Sequence, residues 1–314
     1  MNKIEKIKVA VEVALYYFTI STLFFLLTRI LPHLIFKPRS LGLTNVLMLP
    51  AIYFVSFIVV IIFLAIYSDL LKRKVQVSFS IDNKPLIFII IGVLLILTAV
   101  TKMPRFVSFI TEFKDPSLGR IYDLYRAIVP IPIYVVQIGI GAYLTFMAIK
   151  WDKQIEKIKL AVDVALYYFT ITTVMNLLSM IVSNLLFGKR TDIISTLRSA
   201  TLHYVVIVVV ILFLAILSNF LKKKVQQHIS IDSKLLIYLI VGVVLIITGI
   251  IEIPPLVSWV FTLIYSIDNY QTTHILNYVY YNIAQIVFFT LQIGIGAYFI
   301  LVTKKRDKYI EETY

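Results

Sequence analysis

The sequence predicts an all-α, polytopic integral membrane protein, with eight transmembrane helices arranged as a tandem parallel repeat of two four-helix units. Three observations carry that expectation. Of the 314 residues, 60% are hydrophobic and 15% are charged, with a mean hydropathy of +0.92. A soluble domain is roughly 45–50% apolar and about 25% charged. Eight apolar stretches reach the length a helix needs to cross a bilayer, which is about 20 residues for a ~30 Å hydrocarbon core. Finally, long segments of the first half recur in the second.

The stretches follow in order. The first covers residues 9–31, where Pro32 is expected to stop it. The second covers 46–71 and meets Lys72, Arg73 and Lys74. The third begins near Pro85, a good first-turn residue, and is expected to end near Met103 and Pro104. The fourth covers 127–149, where Pro130 and Pro132 favour a kink or a late start. Four more cover 160–186, 202–221, 235–253 and 278–302. All are apolar on nearly every face, unlike surface helices of soluble domains. Barrel strands would be about 9–11 residues long with strict alternation, and no such series occurs. The first stretch contains Glu12, lacks a small-residue cleavage pattern and recurs in mid-chain. It is therefore expected to be a span rather than a removed signal peptide.

Residues 5–22 recur at 156–173 with 15 of 18 positions identical. Residues 63–84 recur in similar form at 213–234, and QIGIGAY occurs at 137–143 and 292–298. A repeat of this kind decides the fold. It divides the chain into units 1–150 and 151–314. An even number of spans per unit returns the chain to its starting side. The units then point the same way, about an axis along the membrane normal, unlike the inverted repeats of many transporters.

The formal charge is +13. The side holding both termini and the 72–84, 150–159 and 222–234 segments carries 19 Lys and Arg; the opposite side carries 11. The positive-inside rule places both termini in the cytoplasm, as expected of a multi-pass plasma membrane protein. The basic residues sit within a few positions of span ends, without an extended basic domain. They predict attraction to anionic lipid headgroups at about 1 kcal/mol each, and no nucleic acid partner. A membrane or cytoplasmic protein partner is the sharper alternative, and the sequence leaves the oligomeric state open.

The first candidate site is a polar stripe. Glu12, Tyr16, Thr19 and Thr22 follow three-and-four spacing, and Asp163, Tyr167, Thr170 and Thr173 match them. Such spacing puts side chains on one helix face. Intramembrane acids are costly and usually have a task. Each acid also lies about one turn beyond a lysine, Lys8 or Lys159, so a simple ion pair near the interface is the plainer account. The functional expectation is a face that lines a polar crevice or grips a partner helix.

The second candidate is a repeat-related ion pair. Lys102 and Glu252 hold equivalent positions at the outer ends of the third and seventh spans, and would attract if they met across the axis. The third is helix packing: Gln137 and Gln292 as interhelical hydrogen-bond glue, with Gly139, Ala142, Gly294 and Ala297 as small surfaces for close approach. Asn282 and Gln285 make the eighth span the more polar of the two. Ser80, Asp82, Ser230 and Asp232 are helix N-cap candidates. Trp151 and Trp259 fall near span ends, as interfacial tryptophans do.

The four histidines are scattered and there is no cysteine. No metal site, cofactor or catalytic residue is expected, and no nucleotide-binding, metalloprotease or nucleophile-elbow motif is present. The composite expectation is a non-enzymatic, membrane-embedded binding, regulatory or accessory module. The alternative is a small-solute or ion transporter or channel, with its pathway between the two repeats.

Overall fold

The computed structural model of the chain describes residues 3–35, 43–74, 83–111, 128–151, 155–187, 190–224, 231–265 and 272–313. These form α1 (Lys3–Ile35), α2 (Leu43–Lys74), α3 (Asn83–Thr111), α4 (Pro130–Trp151), α5 (Ile155–Phe187), α6 (Arg190–Lys224), α7 (Ile231–Tyr265) and α8 (Thr272–Thr313). All eight helices are long and apolar enough to cross a membrane. In lipid the backbone must satisfy its own hydrogen bonds, and a helix does so within one segment. Hydroxyl side chains follow the same rule. Ser56, Thr145, Thr248 and Thr290 each donate to the carbonyl four residues earlier, at 2.8–2.9 Å, which satisfies the hydroxyl locally.

The helices form an inner and an outer layer. In α1, α3, α5 and α7, 56%, 61%, 56% and 61% of the span residues are buried; in α2, α4, α6 and α8 the shares are 28%, 28%, 17% and 17%. Helix α1 packs on α2, α3, α4 and α7, whereas α5 packs on α6, α7, α8 and α3. Helix α2 also meets α7, and α3 meets α6. The most extensive seams join α3 to α4 and α7 to α8. Ile89, Ile90, Leu94 and Leu95 of α3 and Ile240 and Leu245 of α7 are fully buried. Outward lie Val59 and Phe63 of α2, Tyr143 and Phe146 of α4, Phe213 and Ile216 of α6, and Tyr298 and Leu301 of α8. Water would penalise so wide an apolar surface; hydrocarbon does not.

Two helices run past the prolines expected to end them: α1 continues through Pro32 and α3 through Pro104. α7 likewise runs through Pro254 and Pro255. Proline removes one backbone bond and crowds the preceding turn. Within membrane bundles, local adjustment and neighbouring groups make good that loss, so these prolines do not end the helix. Pro85 lies in the first turn of α3, where no intrahelical partner is lost, and α4 begins at Pro130. The N-cap candidates Ser80, Asp82 and Ser230 lie outside the described residues, as do the side chains of Asp232, Trp151, Trp259 and all four histidines.

The glycine prediction needs correction at the α3–α4 and α7–α8 seams. Gly139 and Gly294 are exposed, and a Cβ on either would meet nothing within 4 Å. Gly141 and Gly296 make the close approach instead. A Cβ on Gly141 would lie 2.7 Å from the Gly92 carbonyl oxygen, and one on Gly296 would lie 2.6 Å from that of Gly242. The reason is angular: Gly141 and Gly296 follow Gln137 and Gln292 by four residues and share their face, whereas two residues turn to the opposite side. On that shared face Gln137 Nε2 donates to the Leu95 carbonyl at 3.0 Å, and Gln292 Nε2 donates to the Leu245 carbonyl at 3.2 Å.

Candidate functional site

Buried charge collects at one end of the bundle, where α1, α3, α5 and α7 begin and α2 and α6 end. Lys6, Lys8 and Glu12 of α1 and Lys159 and Asp163 of α5 are buried there. Lys159 Nζ lies 2.7 Å from Asp163 Oδ2, as one turn of helix allows. The other carboxylate oxygen, Oδ1, accepts a hydrogen bond from Ser218 near the end of α6. One acid thus satisfies two donors, one on its own helix and one on its neighbour. A buried ion pair gains little unless its remaining lone pairs are satisfied, and Ser218 meets that requirement.

The matching place on α1 is built differently. Glu12 is 4% exposed, and its electrostatic neighbours are Lys8, Lys72 at the end of α2 and Lys84 at the start of α3. Ser68, the counterpart of Ser218 at an offset of 150, is 2% exposed, and its hydroxyl has no hydrogen-bond partner among the described residues. Lys72 and Lys84 are exposed, so this corner opens to the basic rim. An exposed ion pair, Asp69 with Arg73 at 2.9 Å, borders it.

The predicted stripe is divided by the fold. Glu12 and Thr22 are buried, as are Asp163 and Thr173, but Tyr16, Tyr167 and Thr19 are exposed and Thr170 is half-buried. Thr19 and Thr22 donate to the Leu15 and Phe18 carbonyls at 2.7 and 2.6 Å. Their hydroxyls are therefore engaged by their own helix rather than by a shared crevice. Asp163 is met from α6 by Ser218, and Glu12 has Lys72 of α2 as an electrostatic neighbour.

The tyrosines one residue further on point inward. Tyr17 Oη lies 2.9 Å from Thr98 Oγ1, and Tyr168 Oη lies 3.3 Å from Thr248 Oγ1. Tyr17 and Glu252 are electrostatic neighbours of the Tyr168 hydroxyl, so these groups form one polar cluster inside the apolar core. The sequence carried a signal for it: Ala10, Ala14 and Tyr17, like Ala161, Ala165 and Tyr168, follow i, i+4, i+7 spacing. Small residues at that spacing mark a close-packing face, and all six are buried.

Lys102 and Glu252 do not meet. Lys102 is exposed, and no ion pair joins the two among the described residues. Glu252 instead accepts a hydrogen bond from Tyr53 Oη of α2 at 3.2 Å. Among the described residues no group of three His, Cys, Asp or Glu could hold a metal ion. No family model, curated protein or solved structure matches the chain.

Proposed function

We propose that the protein is a non-enzymatic integral membrane module of two four-helix units, 1–150 and 151–314, inserted in the same direction. On this reading it sits in the plasma membrane with both termini cytoplasmic, and it binds at its basic rim. The helix contacts support the two-unit part. α1 and α5 keep matching neighbours, and so do the pairs α2 with α7 and α3 with α6. The charge bias of 19 against 11 supports the orientation.

One observation carries the functional part: buried charge gathers at the rim, while the middle is filled with Ile89, Ile90, Leu94, Leu95, Ile240 and Leu245. Binding chemistry therefore lies at the membrane surface, where anionic headgroups or a cytoplasmic protein would meet it. Transport is the second reading, favoured by the interior hydroxyls of Tyr17, Thr98, Tyr168 and Thr248 beside Glu252.

The absence of cysteine makes a direct test available. Single cysteines at Tyr17 and Thr98 should resist a membrane-impermeant aqueous thiol reagent, while one at Lys72 should react from the cytoplasmic side only. Reconstituted into sealed vesicles, the protein should move protons and monovalent cations no faster than empty vesicles. Labelling at Tyr17 together with measurable flux would establish the transport reading instead.

A further inference from the structure

We propose that the corner formed by α1, α2 and α3 binds a phosphate anion, carried by a lipid headgroup or free in solution, with Ser68, Lys8, Lys72 and Lys84 as its donors. The inference deepens the rim-binding reading and rests on it. It starts from two matched corners that end differently. Around Asp163, one carboxylate takes the ammonium of Lys159 and the hydroxyl of Ser218, so that corner supplies its own anion. At the matching place in the first half, one turn before Lys72, the hydroxyl of Ser68 is buried and takes no partner among the described residues.

A buried hydroxyl without a partner is costly, and an occupant that accepts its hydrogen removes the cost. The charge around it selects that occupant. Lys8, Lys72 and Lys84 are electrostatic neighbours of Glu12, and Glu5 also acts on Lys8; three ammonium groups against two carboxylates leave the corner cationic and disfavour a metal cation or an amine. Ser68 precedes Lys72 by four residues, so the two share a face of α2. Ser68 lies about 6 Å along the axis from Lys72 and about 9 Å inside the helix end at Lys74, so a phosphate held by the exposed Lys72 is one turn from the hydroxyl. Phosphate oxygens accept from hydroxyl and ammonium donors together, in short charge-assisted bonds.

The test uses the full chain in two arms. Native mass spectrometry of protein released from nanodiscs of phosphatidylcholine with a minor share of phosphatidylglycerol counts retained anionic lipid. Calorimetric titration of delipidated protein with inorganic phosphate reads the free anion. We expect one tightly retained phosphatidylglycerol, weakened about tenfold by Ser68→Ala, as for one charge-assisted hydrogen bond, and about fivefold by Lys84→Gln. The matched changes Lys222→Gln and Lys234→Gln should leave retention unchanged. Binding of inorganic phosphate that depends on Ser68, without lipid retention, supports the site with free phosphate as its source. Loss that is equal for Lys234→Gln and Lys84→Gln, or binding indifferent to Ser68→Ala in both arms, overturns the proposal. Flux through sealed vesicles would sink the module reading without altering these counts.

Discussion

The two halves of the chain agree in their seams and differ in their corners. At the seams, a Cβ added to Gly141 or Gly296 would lie 2.7 or 2.6 Å from the carbonyl oxygen of Gly92 or Gly242, and a glutamine bonds across each. At the corners, Asp163 closes on Lys159 and Ser218, whereas Ser68, at the position matching Ser218, has no partner among the described residues. Close backbone packing tolerates no change in side-chain volume, so seams diverge slowly under substitution. A rim that meets water and headgroups tolerates a longer acid. The difference teaches where the molecule is free to specialise, and that is the corner.

Removing the acid should separate the corners most strongly. Asp163→Ala leaves the buried Lys159 and the half-buried Ser218 without their shared partner. A loss of about 3–5 kcal/mol in reversible unfolding from mixed micelles is expected, as for other broken buried pairs. Glu12→Ala should cost clearly less, because Ser68 already lacks a partner and Lys72 and Lys84 reach water. The double change Lys159→Met with Asp163→Leu should recover most of the loss, since apolar replacement of a buried pair is often neutral. Equal costs for Asp163→Ala and Glu12→Ala would abolish the contrast between the corners.

The seams should fail equally. Gly141→Ala and Gly296→Ala each force a methyl against a backbone oxygen, at about 1–3 kcal/mol for overpacking. Gly139→Ala and Gly294→Ala meet nothing and should be neutral, or stabilising by up to about 1 kcal/mol through helix propensity. Thermal unfolding of the four variants in one detergent reads the pattern. A costly Gly139→Ala would restore that residue to the packing face.

Much of the span architecture was legible because hydropathy and length report directly on the hydrocarbon slab. Facing was not. In a soluble helix the buried side is the apolar side, but here Phe63, turned out, and Leu64, turned in, are both apolar. Hydrophobicity therefore cannot say which of Tyr16 and Tyr17 points inward, and spacing from Glu12 selected the outer one. Alanines at 10 and 14 encode the answer through size. Likewise, QIGIGAY contains two glycines; Gly141 shares the face of Gln137 by its four-residue spacing, and Gly92 on the facing helix is what makes that approach close. Helix ends at Pro32 and Pro104 were misplaced for a related reason: proline is a weaker stop inside a membrane bundle than in water. Both acids could be singled out in sequence, since ionisable residues are rare in spans. Their partners Ser218, Lys72 and Lys84 lie on other helices and could not.

A smaller effect should come from the glutamines. Gln137→Leu and Gln292→Leu each remove one bond to a carbonyl of the facing helix, at about 0.6–1.7 kcal/mol by analogy with other membrane bundles. The losses should match within error, since both seams bond the same way. Unequal losses in the same micelle titration would show that the seams, too, have begun to diverge.

The smallest effect belongs to the interior hydroxyls, and it bears most directly on function. Tyr17→Phe removes the bond to Thr98, and Tyr168→Phe removes that to Thr248. Each should cost about 0.6 kcal/mol, the average for an interhelical bond in a membrane. Thr248 keeps a second partner in the Val244 carbonyl, which limits the loss on that side. If the cluster only fastens helices, Tyr17→Phe and Tyr168→Phe together should depart from the sum of the single losses, because the two hydroxyls are neighbours in one polar cluster. Calorimetry or micelle titration of the double variant checks this. A cluster that instead relays protons would betray itself as near-normal stability with altered flux, since a phenyl ring fills the space but cannot pass a proton. Coupled losses of stability without any flux would leave the hydroxyls as fasteners and the rim as the place where the molecule acts.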